Sequence, residues 1–507
     1  MFNYKKADWN KFNEILSRLD QESLTVKGEV RKPTSIGGLE RTYNKLVEDI
    51  RSGMKAAMPY RVPKPAKPRT GYWSEELTRM RRKVKFLGKK WHRLSTEASK
   101  TEYSDCRREY KNLINLTRSI KRNELIEELL TTKDMSKFIK MSQGIENKAL
   151  GILEDGNGKP MTSIKSNLNL LFETHFPGSK RTDQTREEVA GHEATVNYLK
   201  GEEKSIVTKE LVRKAYGKFG NHKTAGPDEI KPIVLKLLPD STIDRIVAIY
   251  QASIRMAYMP KQWLTSTVVF IPKPGKESYN IPKSFRPISL TSFLLKGLER
   301  ILGWHLEDTV LKERPLSEWQ HGFKRDKNTE TAILNTVDRI ESAILRGGFA
   351  VGAFLDIQGA FDSLKPKCAI KALRDKHFPP WFIKWYGSFL TKRFAETTWK
   401  GTTVRRELVQ GAPQGDVLST LIWNINYDPM LNKINSETHC NTTGFADDGR
   451  ILVSGPVLRT IVGRIQTAID CALNWGRDNG MKFNAQKTEI VIFTRKYKYT
   501  STYIDGR

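Results

Sequence analysis

The spacing of apolar residues divides the chain into a helical first part and a second part in which strands alternate with helices. Near the N-terminus, FNEILSRL and YNKLVEDIRSGMKAAM carry apolar residues at helical spacing. From about residue 205 the predicted strands lie within 266–276, 349–356 and 489–494, and the predicted helices at 331–346 and 457–480. Gly480 is expected to end the last helix. This alternation predicts an α+β fold.

Acidic residues interrupt the apolar pattern at two strands. FADDGRIL holds Asp447 and Asp448 between apolar runs, and Asp448-Gly449 is a common turn signal, so we expect a β-hairpin with Asp447 at its turn. AFLDIQGAFDSL places Asp356 at a strand end and Asp362 six residues later, with no cation nearby in the sequence. An ordinary turn would also explain Asp-Asp-Gly. Two such places together predict a Mg²⁺ site, because buried carboxylates need compensation and Mg²⁺ prefers oxygen ligands.

The charge of the chain indicates a polyanionic partner. It has 86 Lys and Arg against 57 Asp and Glu, a net charge of +29. Nucleic acid is the usual partner of such a protein, and an inert basic surface is the alternative. The segment TRMRRKVKFLGKKWHR places Met80, Val84, Leu87 and Trp91 on one helical stripe with cations around it. It fits a phosphate-binding helix and a solvated basic helix equally well.

Other sequence features exclude several classes of protein. The four cysteines are far apart and form no C-x-x-C pair, so we expect reduced thiols rather than a zinc or redox site. The N-terminus MFNYKKADWN is too charged for a signal peptide. No apolar run approaches the roughly 20 residues that a membrane-spanning helix needs, so no membrane partner is expected.

Eight motifs in order resemble the reverse transcriptase of non-LTR (LINE-type) retrotransposons, over about residues 200–495. HKTAGPDEI, VVFIPKPGK and SFRPISLTSFLLKGLER are similar to motifs of the fingers, and QHGFKRDKNTETAI precedes the palm. FLDIQGAFDSL, QGAPQGDVLSTLIWN, FADD and GMKFNAQKTEIVIF are similar to polymerase motifs A, B, C and D. The resemblance implies a right-hand polymerase, with an antiparallel palm sheet that has helices on one face, preceded by a helical basic N-terminal region.

The resemblance also implies an order of domains. Weaker similarity at ADWNKF and GYWSEELTRMRRK is to the segment that joins endonuclease and polymerase in such elements. The predicted regions are a helical remnant of that segment at 1–58, a Pro-rich strap with basic helices at 59–145, a connector at 146–204, fingers at 205–348, palm at 349–495 and a tail at 496–507. An endonuclease and a thumb are not recognised, so the chain is expected to be truncated at both ends.

The catalytic roles implied by the resemblance belong mainly to carboxylates. Asp356 and Asp447, with the carbonyl of Ile357, would hold two Mg²⁺ ions, and Asp448 would lie beside them. Lys487 would act as the general acid that protonates the leaving pyrophosphate, with an ordinary surface lysine as the alternative.

The nucleotide-binding residues implied by the resemblance are Lys273, Arg286, Phe361, Gln414 and Gly415. Arg286 would bind the triphosphate, with Lys273 or alternatively Lys276 as a second cation. Phe361 would be the steric gate that excludes a ribose 2′-hydroxyl. Asp362 is either structural or a ligand. The sequence departs from the family's pattern in motif B, which often has a small residue where Asp416 stands.

The implied function is an RNA-directed DNA polymerase that extends a DNA 3′-hydroxyl on an RNA template, with deoxynucleoside triphosphates (dNTPs) as substrates. Its partners would be template RNA and primer or target DNA, and its oligomeric state is left open. A nuclear location is expected, and the protein is also expected in the cytoplasm together with the element RNA. The alternatives are a truncated, inactive remnant that only binds nucleic acid and, within the same class, an intron maturase or a telomerase.

Overall fold

The computed structural model describes residues 2–23, 32–60, 73–127, 151–181, 196–276 and 278–496. Most of the predicted Pro-rich strap, part of the connector and nearly all of the tail lie outside these ranges. The chain forms two compact units, the first of Met1–Asn3 with Tyr60–Leu150 and the second of Tyr4–Pro59 with Gly151–Arg507. The domain boundaries expected from the sequence stay predictions. None of the described helices has the length and apolar character needed to cross a membrane.

The described residues form helices and strands throughout the second part of the chain, as the alternation predicted. The helices are α1 Trp9–Ser23, α2 Ile36–Ala57, α3 Glu75–Leu94, α4 Glu97–Glu127, α5 Ile164–His175, α6 Glu203–Ile206, α7 Lys209–Gly217, α8 Pro232–Lys236, α9 Asp240–Arg255, α10 Phe293–Asp308, α11 Val310–Glu313, α12 Thr329–Leu345, α13 Ala360–Ser363, α14 Pro366–Asp375, α15 Pro380–Thr391, α16 Ser419–Thr438 and α17 Leu458–Asn479. The strands are β1 Lys180–Arg181, β2 Thr265–Pro272, β3 Phe285–Leu290, β4 Phe349–Asp356, β5 Arg393–Trp399, β6 Thr402–Leu408, β7 Asn441–Phe445, β8 Asp448–Gly455 and β9 Glu489–Phe493.

The first unit contains the antiparallel pair α3 and α4. Ser74 caps α3 by accepting a hydrogen bond from the backbone N–H of Leu77. The ring of Trp91 stacks on that of Tyr103, with 5.4 Å between the ring centroids. The predicted apolar stripe of α3 is therefore confirmed as the face that packs on α4.

The palm sheet has the strand order β7-β8-β4-β9, and all of its pairs are antiparallel. The predicted strand 349–356 is β4, at the bounds that the sequence indicated. The predicted helix 457–480 is α17, which buries Ile461 and Ile465 and ends at Gly480 in the left-handed conformation. The antiparallel palm sheet of the predicted α+β fold is confirmed.

Helices cover both faces of the palm sheet rather than the single face expected. Side chains of α16 and α17 approach one face, where a Cβ on Gly449 or Gly455 would meet Tyr427 or Ile461. On the other face, Ala343 of α12 packs with Ala350 of β4 and Leu452 of β8. The expectation of helices on one face is therefore incomplete, because α12 occupies part of the opposite one.

The second sheet has the strand order β1-β6-β5-β2-β3. Strands β2 and β5 run parallel, and the other neighbours are antiparallel. Strand β3 pairs with β2 so that Arg286 lies opposite Ile271, one residue before the end of β2. The predicted phosphate-binding cations therefore lie at one end of the β2–β3 pair.

A buried ion-pair network attaches the N-terminal helices to α9. Arg245 contacts Asp20 of α1 at 2.6 Å and Asp49 of α2 at 2.9 Å, and all three side chains are nearly inaccessible to water. Breaking one member would leave an uncompensated buried charge. Helices α1 and α2 are thus fixed parts of the unit that contains the palm sheet.

Candidate active site

A two-residue hairpin loop presents the pair of aspartates. Strands β7 and β8 pair in the register Phe445 with Asp448, which leaves Ala446 and Asp447 in the turn. Ala446 has a positive φ of 56°. The prediction that Asp447 lies at a hairpin turn agrees with this structure. The turn signal was misplaced, however, because Asp448 and Gly449 begin β8 instead of forming the turn.

The third carboxylate lies opposite this hairpin. Asp356 ends β4 and is the cross-strand partner of Asp448. Directly opposed residues of an antiparallel pair have side chains on the same face, about 5 Å apart at Cβ. The carboxylates predicted from two distant segments, Asp356, Asp447 and Asp448, are therefore brought together at one end of the palm sheet.

The backbone after Asp356 directs the carbonyl of Ile357 toward the aspartate hairpin. The N–H of Gln358 donates to the carbonyl of Lys482, and the N–H of Asn484 donates to the carbonyl of Asp356. Ile357 lies between these two bonds, opposite Phe483, so its own carbonyl points away from this segment. That direction is toward β8, on the side of β4 where the aspartate hairpin lies.

Lys487 forms an ion pair with Asp356. Its Nζ lies 3.1 Å from Oδ1 and 3.2 Å from Oδ2 of that carboxylate. The N–H of Lys487 donates to the carbonyl of Asn484, and the N–H of Asn484 donates to the carbonyl of Asp356. These two bonds connect the turn that carries the lysine to the end of β4. The sequence showed no cation near Asp356 because this partner lies 131 positions away in the chain. The folded chain therefore supplies a cation that the neighbouring residues do not.

The electrostatics of the three carboxylates favour a cation. Burial raises the pKa of Asp448, and the negative charges of Asp447 and Asp356 raise it further, while Lys487 lowers it. In the described ranges no three His, Cys, Asp or Glu side chains are grouped to hold a metal ion by themselves. A Mg²⁺ site does not need three, because Mg²⁺ commonly binds one or two carboxylates together with substrate phosphates. The donors present fit such an ion.

Phe361 lies between motif B and the segment that precedes the palm. Its ring centroid is 5.5 Å from that of Trp423 in α16 and 6.4 Å from that of Phe323. The N–H of Ala412 donates to the carbonyl of Phe361 at 2.7 Å. Phe361 is only half-buried, so part of its ring stays available to a ligand. Its predicted role as a steric gate stays a prediction that this geometry permits.

Lys273 and Arg286 bring positive charge near this site. Burial lowers the pKa of Lys273, and the charges of Arg286, Lys276 and Lys487 lower it further, while Asp362 raises it. Lys273 is fixed by donation from its Nζ to the carbonyl of Lys283 at 2.9 Å. Because Lys273 interacts with Lys487, the cations of the second sheet lie within electrostatic reach of the palm carboxylates.

Motif B is attached to the same strand as Arg286. The N–H of Ser289 in β3 donates to the carbonyl of Gln414 at 3.0 Å. Gly415 has a φ of 107°, and a Cβ there would lie 3.2 Å from the carbonyl oxygen of Ser289. The predicted pair Gln414 and Gly415 thus stands beside β3, with a backbone conformation that favours glycine.

Several residues that position the hairpin were missed by the sequence analysis. Trp423 donates from Nε1 to the carbonyl of Ala446 at 2.7 Å. The segment before α12 also supports β7, because the N–H of His321 donates to the carbonyl of Gly444. Gly322 lies so close to Ala446 that a side chain at this position would collide with the turn. The motif that contains His321 and Gly322 predicted only that this segment precedes the palm.

The sequence left open whether Asp362 is a structural residue or a ligand. Burial raises its pKa to about 7, although Arg393 and Lys273 act in the opposite direction. Asp362 belongs to α13, six residues after Asp356 in the chain. The charged groups that act on the pKa of Asp362 are thus the two cations Arg393 and Lys273. This environment favours a structural acid over a metal ligand.

Comparison with known proteins agrees with this arrangement. The family of reverse transcriptases (RNA-dependent DNA polymerases) matches residues 271–504. This part of the chain is similar to the reverse transcriptases of non-LTR elements. It contains Asp356, Asp447, Asp448 and Lys487.

The relatives are proteins of mobile elements. The RNA-directed DNA polymerase from mobile element jockey of Drosophila melanogaster is 28% identical over 299 residues, 58% of this chain and 32% of the relative. The probable RNA-directed DNA polymerase from transposon BS of the same species is 29% identical, over 54% of this chain and 31% of its own length. A Pol polyprotein from the type-1 retrotransposable element R1 of Bradysia coprophila is 22% identical over 83% of this chain and 41% of its length. The chain spans about a third of the first two relatives.

Proposed function

We propose that this chain is an RNA-directed DNA polymerase of a non-LTR retrotransposon, which extends a DNA 3′-hydroxyl on an RNA template. The observation that carries the proposal is the pairing of Asp356 with Asp448 across β4 and β8, with Asp447 in the adjoining turn. Relatives described as RNA-directed DNA polymerases support it. In such a reaction the 3′-oxygen attacks the α-phosphate of a dNTP, and pyrophosphate leaves.

The carboxylates would hold two Mg²⁺ ions. Asp356 and Asp447 are the proposed ligands, with the carbonyl of Ile357, and Asp448 adds negative charge beside them. Bound Mg²⁺ would lower the pKa of the attacking hydroxyl and neutralise charge on the phosphates. Burial and the negative charges of Asp447 and Asp356, which raise the pKa of Asp448, support a cation at this place.

The remaining side chains would bind the nucleotide and move a proton. Arg286 and Lys273 would contact the triphosphate, and Gln414 and Gly415 would line the pocket beside β3. The Nζ of Lys487 lies 3.1 Å from Oδ1 of Asp356 in this structure. When a triphosphate enters, that ammonium group would donate the proton to the leaving pyrophosphate oxygen.

Phe361 would select the sugar. Its ring packs against that of Trp423, with 5.5 Å between the ring centroids. This contact would restrict movement of the ring away from a ribose 2′-hydroxyl. A deoxyribose lacks that group and would fit. Selection for dNTPs would follow from the packing of a single aromatic side chain.

Primer extension tests the proposal. The full chain, a DNA primer on an RNA template, dNTPs and Mg²⁺ are compared with Asp447→Asn and with Asp478→Asn, an exposed acid on α17 that serves as the matched control. We expect extension by the wild type and the control, and a loss of at least about 100-fold in Asp447→Asn, since a ligand charge is lost. Salt-dependent binding without extension by any of the three would overturn the proposal and favour an inactive nucleic-acid-binding remnant.

The proposed reaction also implies where the protein works. Copying element RNA onto a chromosomal primer requires a nuclear location, and association with newly made element RNA would begin in the cytoplasm. Fluorescence imaging of the tagged chain would test this, and exclusion from the nucleus would contradict it.

A further inference from the structure

The outward face of α3 carries cations that the polymerase site does not use. The helix has eight Lys and Arg residues and two Glu residues. Its apolar stripe, with Leu77 and Leu87 buried, packs on α4. On the opposite side, at helical spacing, lie five exposed residues: Arg82, Lys85, Phe86, Lys89 and Arg93.

These cations have few acidic neighbours. Within the described part of the chain, the ion pair that an α3 residue makes is that of Lys90 with Glu102 of α4, and Lys90 is not on the outward face. By contrast, α4 balances charge locally, with ion pairs such as Arg108 with Asp105. Like charges three and four residues apart repel and destabilise a helix. A polyanion along the outward face of α3 would remove that repulsion.

An aromatic side chain stands among the cations. Phe86 is 68% exposed, one turn from Arg82 and one turn from Lys89. A solvated basic helix gains nothing from an exposed phenylalanine, whereas a nucleobase can stack on its ring. A duplex keeps its bases stacked inside and offers only phosphates. The combination of phosphate-binding cations and one stacking ring therefore suits a single strand.

We propose that the outward face of α3 binds single-stranded nucleic acid, with Arg82, Lys89 and Arg93 against phosphates and Phe86 against a base. This binding goes beyond polymerisation, because it requires neither the palm carboxylates nor a nucleotide. The recognised chemistry, a flexible phosphate backbone with accessible bases, is common to single-stranded RNA and DNA.

Binding experiments on the full chain, in EDTA and without dNTPs, separate this site from catalysis. Fluorescence anisotropy is measured over a range of salt concentrations with single-stranded RNA, single-stranded DNA and a duplex of equal length. The variants are the triple change Arg82→Gln, Lys89→Gln, Arg93→Gln and the single changes Phe86→Ala and Phe86→Trp. The matched control is a triple change on α4: Lys100→Gln, Arg107→Gln, Arg108→Gln. Circular dichroism of each variant checks that the helices are retained.

The expected results follow from the two kinds of contact. Each lost phosphate contact reduces the slope of log affinity against log salt by about 0.7 for a single strand, so the α3 triple variant should lose about 2. The α4 triple variant should lose less than half of that. Phe86→Ala should weaken single-strand binding roughly 5- to 100-fold without changing the slope, and Phe86→Trp should restore it.

Two results would overturn the proposal. An unchanged salt slope in the α3 triple variant would show that these cations are only solvated. Equal weakening of single-strand and duplex binding by Phe86→Ala would show that the ring does not stack on a base. Tighter binding of RNA than of DNA, or the reverse, would identify which strand the face prefers and would support the proposal in either case.

Discussion

Replacing Asp362 with asparagine tests whether this carboxyl is held neutral in the folded chain. Burial raises its pKa from 3.8 to about 7, against the opposing charges of Arg393 and Lys273. Protonation is therefore favoured by folding, and ionisation costs the folded state. The stability that the neutral carboxyl provides is present below about pH 4 and is lost as the pH rises to about 7. About three pKa units correspond to about 4 kcal/mol, an upper limit because the side chain is partly accessible to water.

With these pKa values, ionisation of Asp362 should destabilise the wild type by about 2 to 3 kcal/mol more at pH 8.5 than at pH 5. The amide of Asp362→Asn cannot ionise, so this variant should gain stability relative to the wild type by that amount as the pH rises. Free energies of unfolding in urea at the two pH values measure the difference.

Asp478→Asn removes an exposed carboxyl and should leave the difference between pH 5 and pH 8.5 close to that of the wild type. If Asp362→Asn and the wild type differ by the same amount at both pH values, the carboxyl is ionised in the folded chain and our reasoning about its burial is wrong. Loss of primer extension without any change in stability would instead make Asp362 a functional ligand.

Three further changes test the proposed roles in the active site. Phe361→Val should increase incorporation of ribonucleotides relative to dNTPs in a competition assay, and unchanged selectivity would reject the steric gate. Trp423→Phe keeps a ring against Phe361 but removes the hydrogen bond to Ala446; at about 1–3 kcal/mol per bond, kcat should fall roughly 5- to 100-fold with little change in KM, and an unchanged kcat would show that the bond does not position the turn. Lys487→Met should slow single-nucleotide incorporation and abolish its solvent isotope effect, whereas a retained isotope effect would assign the proton to another group.

The elements that the sequence predicted well are those whose signal is local. Strand β4 has the predicted bounds because an uninterrupted apolar run is buried between β8 and β9. Helix α17 matches within a residue at each end, since its apolar period is regular and Gly480 supplies a left-handed C-cap. For both elements, the residues that decide the conformation are neighbours in the sequence.

The features that the sequence did not predict depend on contacts between distant segments. The Asp448-Gly449 signal favours a turn by local preference. In the fold, Trp423 fixes the carbonyl of Ala446, and Ala446 takes the left-handed conformation at the turn instead. The ion pair between Lys487 and Asp356 likewise joins residues 131 positions apart. The conformational preferences of neighbouring residues do not predict either the hydrogen bond or the ion pair.

The position of the aspartates therefore depends on the packing behind the hairpin as well as on their own motif. Gly444 and Gly449 are cross-strand partners, and both lie against Tyr427 of α16. A Cβ on Gly444 would lie 2.9 Å from the ring of Tyr427, and a Cβ on Gly449 would lie 2.5 Å from its hydroxyl oxygen. The absence of side chains at these two positions lets the hairpin lie close against the tyrosine. The glycines on either side of FADD are thus explained by close approach to Tyr427, an interaction that the motif itself does not reveal.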